Sequence, residues 1–317
     1  MPANEELDKA RNGDVRALAR LLSLVEDESP RVRSVIKDLL PDTGGARVIG
    51  LTGAPGAGKS TVTGALLTAF RAAGHRVAVL AVDPSSPFTG GALLGDRIRM
   101  QEHATDEGVY IRSMASRGHL GGLAASTPQA VRVLDAAGFE LIIIETVGVG
   151  QAEVAVASLA DSVVVLLAPG MGDAAQAAKA GILEVGDVYV VNKADREGAA
   201  QTARELTHML GLAPGRGDGS SWTPPVLKTV ASRGEGIDEV LDAIDKHRAH
   251  LAETGELTGR RRRRASGEVE AIALEAMRRR IGDLRGDRRL EALAERVAAG
   301  ELDPYAAADA LAEQLAH

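Results

Sequence analysis

The run Gly53-Ala54-Pro55-Gly56-Ala57-Gly58-Lys59-Ser60 has the spacing G-x-x-x-x-G-K-[ST]. A loop of this kind turns backbone N–H groups inward around phosphate oxygens, and the helix that follows adds the positive end of its dipole. The lysine ammonium then reaches the β/γ-phosphates and the serine hydroxyl reaches a Mg²⁺ ion. The context fits, since the apolar run RVIGLTG precedes the loop and the helical stretch TVTGALLTAFRAAG follows it. A carboxylate at the end of a neighbouring buried strand completes such a site. LIIIETVG supplies Glu145 there, where Asp is the commoner residue; its alternative role is to cap the next element. Gly148, three residues on, offers a backbone N–H to the γ-phosphate, a contact that couples hydrolysis to loop movement.

Which base is read follows from Asn192-Lys193-Ala194-Asp195 at the end of the run DVYVV. An Asp carboxylate accepts two hydrogen bonds from guanine N1–H and N2–H₂, and adenine has no such donor pair. Asn192 and Lys193 brace the loop and cover the ring, and Ala231-Ser232 closes the next strand beside it. The chain has only seven lysines against thirty arginines, and two of the seven, Lys59 and Lys193, fall in these two motifs. A compact ammonium suits both positions. The motifs together point to GTP and away from ATP.

Asp83-Pro84-Ser85-Ser86-Pro87 and Gly95-Asp96-Arg97-Ile98-Arg99 bracket the most distinctive stretch. Asp83 ends a strand and Asp96 enters a helix, so hard carboxylate oxygens near Ser60 would suit Mg²⁺ directly or through water. The alternatives are a turn cap at Asp83 with Pro84 and ion pairs of Asp96 with Arg97 or Arg99. Lys179, in GMGDAAQAAKAG with Asp173 and Gln176, is either a third phosphate-directed lysine or an ordinary solvated one. Gln151 lies too far past Gly148 for the usual water-positioning glutamine and is read as structural or switch-loop.

These residues need a scaffold, and the chain supplies one. Seven runs (47–53, 76–83, 108–114, 140–148, 162–170, 187–195 and 225–232) are continuously apolar in most cases, as strands buried on both faces are. Helical stretches between them predict right-handed crossovers and an α/β fold with a mostly parallel sheet. Residues 1–46 read as a helical extension, with Leu7, Val15, Leu18, Leu21, Leu22 and Val25 on one apolar face. Residues 47–255 form the nucleotide domain, and 256–317 a helical arm whose Val269, Ile272, Leu274 and Met277 call for a second surface.

Across 317 residues, 37 basic and 44 acidic side chains give a net charge of −7, which argues against a general nucleic-acid binder. The absence of cysteine removes disulfides, thiolate nucleophiles and iron–sulfur clusters. No apolar run is long enough to span a bilayer, and the acidic start MPANEELDKA has no signal-like core, so a soluble cytoplasmic protein is expected. Arg260–Arg264 reads as a solvated linker at the start of the arm, with binding of an anionic partner, a CoA tail or nucleic acid as its alternative. His119 reads as a loop residue, and Trp222 as the anchor of the Pro-rich loop.

GAPGAGKS, DPSSPFTGGALLGDRIRM, ETVGVGQAE, NKAD and the closing DPYAAADAL together resemble the MeaB/ArgK family of GTPases that accompany methylmalonyl-CoA mutase. The resemblance runs over nearly the whole chain. It implies a P-loop NTPase domain flanked by helices, a C-terminal arm used in a homodimer, and GTP hydrolysis coupled to loading and protection of an adenosylcobalamin-dependent acyl-CoA mutase. A cobalamin adenosyltransferase is a further partner it allows. It carries nucleotide contacts to residues 53–61, ending in Thr61, and to Gly148, Asn192, Lys193, Asp195, Ala231 and Ser232. Metal-associated roles go to Ser60, Asp83, Asp96 and Glu145, and catalytic ones to Lys59, Glu145 and Lys179. Two other readings compete. A kinase tied to arginine or ornithine transport needs an acceptor-binding segment, and a nickel-delivery GTPase needs a His-rich tract; the chain shows neither.

Overall fold

The computed structural model describes residues 3–27, 29, 31–83, 103, 105–115, 126–146, 152–170, 182–212, 222–281 and 286–315. Seven strands form one sheet: β1 (Arg47–Gly53), β2 (Val77–Asp83), β3 (Val109–Ala115), β4 (Leu141–Thr146), β5 (Ser162–Leu167), β6 (Val188–Asn192) and β7 (Val226–Thr229). Their order is β3-β2-β4-β1-β5-β6-β7, and every pairing is parallel. All seven lie within the runs that the sequence marked as strands, give or take a residue at the ends. The apolar runs are continuous because both sheet faces are covered. Ile142 and Ile144 of β4 enter one hydrophobic layer, and Leu141 and Ile143 the other.

One face carries the N-terminal helices and the helix Thr127–Ala136; the other carries the helices Lys59–Ala72 and Ile237–Glu253. Of the N-terminal helices, Val15–Glu26 is capped by Asp14, whose Oδ1 accepts from the N–H groups of Arg16 and Ala17 at 2.9 and 3.0 Å. Leu7, Leu18, Leu21, Leu22 and Val25 are buried in the same core as the sheet. Val15 departs from the apolar face read from the sequence: it is 59% exposed. The turn at Asn12-Gly13-Asp14 breaks the helical phase, so Val15 starts a new helix and points away from its leucines.

The chain divides into two compact units, residues 1–264 and 265–317. In the second, the helices Arg288–Ala298 and Pro304–Leu315 share a small core of Leu293, Ala307 and Leu311. Val269, Ile272, Leu274 and Met277, on the helix Glu256–Ile281, are exposed. No helix among the described residues is long and apolar enough to cross a membrane.

Arg260–Arg264 is not a solvated linker. The segment is helical, and its arginines at i, i+1 and i+4 share one face. Arg260 makes two 2.8 Å bonds to Asp187, which sits just before β6. Arg261 and Arg264 both bind Asp161, just before β5. Each carboxylate also receives a strand N–H: Val48 donates to Asp161 at 3.1 Å and Val163 to Asp187 at 2.8 Å. Burial opposes charge on both carboxyls. The guanidiniums, with His247 beside Asp187, nevertheless hold both below the ordinary Asp range. Trp222 closes the cluster: its Nε1 donates to the Asp187 carbonyl at 2.8 Å, and its ring lies 5.0 Å from that of His247.

Candidate functional site

The phosphate loop joins β1 to the helix Lys59–Ala72, at the end of the sheet where the parallel strands finish. Two glycines make it possible. Gly53 has φ +141°, and a Cβ there would lie 2.1 Å from the carbonyl oxygen of Leu166 on β5. Gly58 has φ +92°, and a Cβ there would meet Asn192 Nδ2 at 2.4 Å. Only glycine lets the loop run this close to its neighbours.

The contact at Gly58 shows how the loop 192–195, the base loop of the sequence reading, is built. Asn192, buried at the end of β6, donates Nδ2 to the Ala57 carbonyl at 2.9 Å. Its Oδ1 accepts from Thr229 Oγ1 at 3.1 Å and from the Ala231 N–H at 3.2 Å. Lys193, at φ +58°, stretches its ammonium to the Gly56 carbonyl at 2.7 Å. The base loop, the phosphate loop and the turn Ala231–Arg233 are thus tied into one frame. Asp195 stands outside that frame, 39% exposed, with Arg233 Nη2 at 3.4 Å. An open groove of about 620 Å³ runs along the helix Lys59–Ala72, from Ser60 and Thr61 past Thr68 to Ala72, with Ala231, Ser232 and Asp238 on its other side; Asp195 does not line it.

At the phosphate end, Lys59 is buried and donates to the carbonyls of Gly53 at 2.8 Å and Ala54 at 3.1 Å. Glu145 is buried at the end of β4, next to Leu51 of β1 in register. Ser60 Oγ donates to its Oε1 at 2.7 Å, and Thr63 Oγ1 to its Oε2 at 2.7 Å. This hydroxyl and carboxylate are the hard oxygen donors that a Mg²⁺ ion takes, directly or through water, so the residues present fit the metal. Asp83 ends β2, which pairs with β4 through Val82 and Thr146, so its backbone reaches the same edge of the sheet as Glu145. The side chain of Asp83 lies outside the described residues, as do Asp96, His119, Gly148, Gln151, Asp173, Gln176 and Lys179.

Thr63 and Arg233 are absent from the sequence reading. Thr63 had a usable signal: it lies three residues after Ser60, on the same helix face. Arg233 follows Ala231-Ser232 directly, but nothing local links it to Asp195.

Residues 18–283 match the family described as methylmalonyl-CoA mutase-associated GTPase MeaB. The chain belongs to that family. Its relatives include a protein of Pyrococcus horikoshii named as a GTPase, 46% identical over 314 residues, covering 99% of this chain and 98% of that one. The GTPase ArgK of Escherichia coli is 38% identical over 263 residues, 80% of this chain and 78% of its own. The mitochondrial methylmalonic aciduria type A homolog of Mus musculus is 41% identical over 214 residues, 67% of this chain and 52% of its own. Among solved structures, that of a LAO/AO transport system kinase superposes with a TM-score of 0.76 at 28% identity, covering 99% of this chain and 98% of that one. This MeaB-family member is a P-loop GTPase related to accessory proteins of methylmalonyl-CoA mutase.

Asp195→Asn tests the base assignment in this MeaB-family chain. A carboxylate that accepts from N1–H and N2–H₂ loses one charge-assisted bond on amidation, at a cost of about 1.5–3 kcal/mol of GTP affinity. Xanthine nucleotides, with an N1–H/O2 edge, should gain. Calorimetry with GTP and XTP reads both, and a wild-type protein that binds ATP as well as GTP would overturn the assignment.

Proposed function

We propose that this GTPase serves an adenosylcobalamin-dependent acyl-CoA mutase, most directly methylmalonyl-CoA mutase, and that GTP hydrolysis times cofactor loading and protection of that enzyme. The family match over residues 18–283 carries the reading, and the name of the mouse relative supports it. In this reading the protein modifies no small molecule besides GTP. It acts in the cytoplasm as a homodimer, with the exposed Val269, Ile272, Leu274 and Met277 of its arm against a second copy. A cobalamin adenosyltransferase is a second partner.

Hydrolysis draws on this chain's own groups. Backbone N–H groups of residues 56–61 hold the α- and β-phosphates, and Lys59 leaves the loop carbonyls for the β/γ-phosphate oxygens. Ser60 would hold Mg²⁺, with Glu145 behind it and Asp83 and Asp96 as further carboxylates. A metal bound there neutralises charge on the phosphate oxygens. Asn192 and Lys193 fix the frame that aims Asp195, Ala231 and Ser232 at guanine. Gly148 and Lys179 belong to segments that respond to the partner.

A timer is slow alone and faster in its complex. Intrinsic turnover should lie well below the ~1–100 s⁻¹ of kinases. Added mutase should raise it on the order of 10²–10³-fold if it completes one charge-stabilising contact. By linkage, mutase affinity should differ between GDP and a non-hydrolysable GTP analogue, with a reciprocal shift in nucleotide affinity. The measurement is GTP turnover with and without purified mutase, with γ-labelled phosphate followed to its destination. Label in arginine, ornithine or a transport protein, with no response to mutase, would replace this reading by that of a kinase.

A further inference from the structure

The helix after the phosphate loop holds three threonines, and two of them, Thr63 and Thr68, use their hydroxyls differently. Thr68 takes the ordinary course for a helical threonine and donates to the carbonyl four residues back, Gly64, at 3.0 Å. Thr207 does the same toward Ala203 at 2.8 Å in the helix Ala199–Gly211. Thr63 instead turns across the sheet edge and donates to Glu145 Oε2 at 2.7 Å. Its side chain is fully buried, and so are Ser60 and Glu145 to within a few per cent.

We infer that Thr63 is a positioning residue for the metal site: it fixes the Glu145 carboxylate so that Oε1 takes the Ser60 hydroxyl hydrogen and turns Ser60 Oγ toward the cation as an acceptor. The argument is geometric. A carboxylate on a flexible Glu can rotate about its last torsion, and one hydrogen bond does not stop it. Two donors from successive turns of one helix, 2.7 Å from each oxygen, define its plane. A serine hydroxyl has one hydrogen and two lone pairs. With the hydrogen committed to Oε1, the oxygen presents lone-pair density to Mg²⁺. Without Thr63, Oε2 of Glu145 loses its 2.7 Å donor, and the plane that presents Oε1 to Ser60 is held less tightly. Glu in place of the commoner Asp gives this support added purpose, since the longer side chain has one more torsion to fix.

The inference rests on the proposed metal roles of Ser60 and Glu145, and the experiment separates the two. Release of a fluorescent GDP analogue from the full chain is followed across a Mg²⁺ titration and in EDTA. Thr63→Val should raise the Mg²⁺ concentration for half-maximal retention about tenfold, the effect of one lost hydrogen bond to a charged group. GDP affinity in EDTA should stay within about twofold, because the N–H cradle and the base loop are untouched. At saturating Mg²⁺, KM for GTP should hold while kcat falls. Thr63→Ser, which keeps the hydroxyl, should restore the midpoint to within about threefold of wild type. Circular dichroism and melting temperature check the fold, and Thr63→Ala replaces the valine variant if that fails to fold. A folded valine or alanine variant with the wild-type midpoint overturns the role of Thr63, as does a serine variant that fails to rescue. If Ser60→Ala and Glu145→Ala also leave the midpoint unmoved, the metal assignment itself is wrong.

Discussion

Ser60→Ala should lose Mg²⁺-dependent GTP hydrolysis by on the order of 10²–10³-fold while still binding GDP in EDTA. The magnitude is that of removing one preorganised group that meets charge developing on the reacting phosphate. The selectivity follows from the site's construction. The phosphate cradle is made of backbone N–H groups, which a side-chain truncation does not remove. The base loop is braced onto the phosphate loop through Asn192 and Lys193, neither of which touches Ser60. The alanine therefore removes the hydroxyl proposed for the cation and one donor to Glu145 Oε1, and leaves the frame standing. Single-turnover hydrolysis in Mg²⁺ and GDP binding in EDTA measure the two halves. Hydrolysis within about threefold of wild type would sink the assignment of Ser60.

Asp161→Ala should cost the first unit about 3–5 kcal/mol, the usual penalty for breaking a buried ion pair on one side. The substitution takes from Arg261 and Arg264 the carboxylate they share, and leaves the Val48 N–H without its acceptor. For a unit of this size the melting temperature should drop by roughly 6–20 °C. Asp242→Ala is the control: its pair with Lys246 is solvent-exposed on both sides, and its loss should cost well under about 1 kcal/mol. Because Asp161 and Asp187 titrate below their unfolded value, the stability they confer is complete above the ordinary Asp pKa. It is lost as pH falls through the lowered folded-state value. Thermal melts of both variants between neutral and acid pH should converge at the acid end, where the wild type no longer gains from the pair. A melting temperature for Asp161→Ala within about 2 °C of wild type at neutral pH would refute the role of the cluster.

The strands and the phosphate loop were legible because their signals are local. Ile142–Ile144 and Val163–Val165 are apolar on both faces, which marks a covered parallel sheet, and the loop's chemistry lies in eight consecutive residues. What the sequence concealed is contact at a distance. Thr63 and Glu145 are 82 residues apart, and the Arg264–Asp161 pair spans 103. A charge run reads the same whether solvated or paired, and nothing local to Arg260–Arg264 names Asp161 or Asp187 as its partners. The helical phase held part of the answer: 260, 261 and 264 fall on one face, and the exposed Arg262 and Arg263 fall on the other. Val15 failed for a related reason, since an apolar stripe continued across Gly13 assumes a single helix where there are two.

Strand β1 lies between β4 and β5, which begin 94 and 115 residues after Arg47. During synthesis, the segment bearing the phosphate loop leaves the ribosome long before either neighbour exists. Asn192, which braces that loop, follows another 25 residues after Leu167 ends β5. At ~5–20 residues per second, roughly 7–30 s separate the emergence of Arg47 from that of Asn192. Until β4 follows, β1 is an unpaired apolar strand, and until Asn192 follows the nucleotide pocket is incomplete. GTP is therefore a ligand of the finished domain: it can protect the assembled sheet against unfolding, but it arrives too late to guide the chain into it.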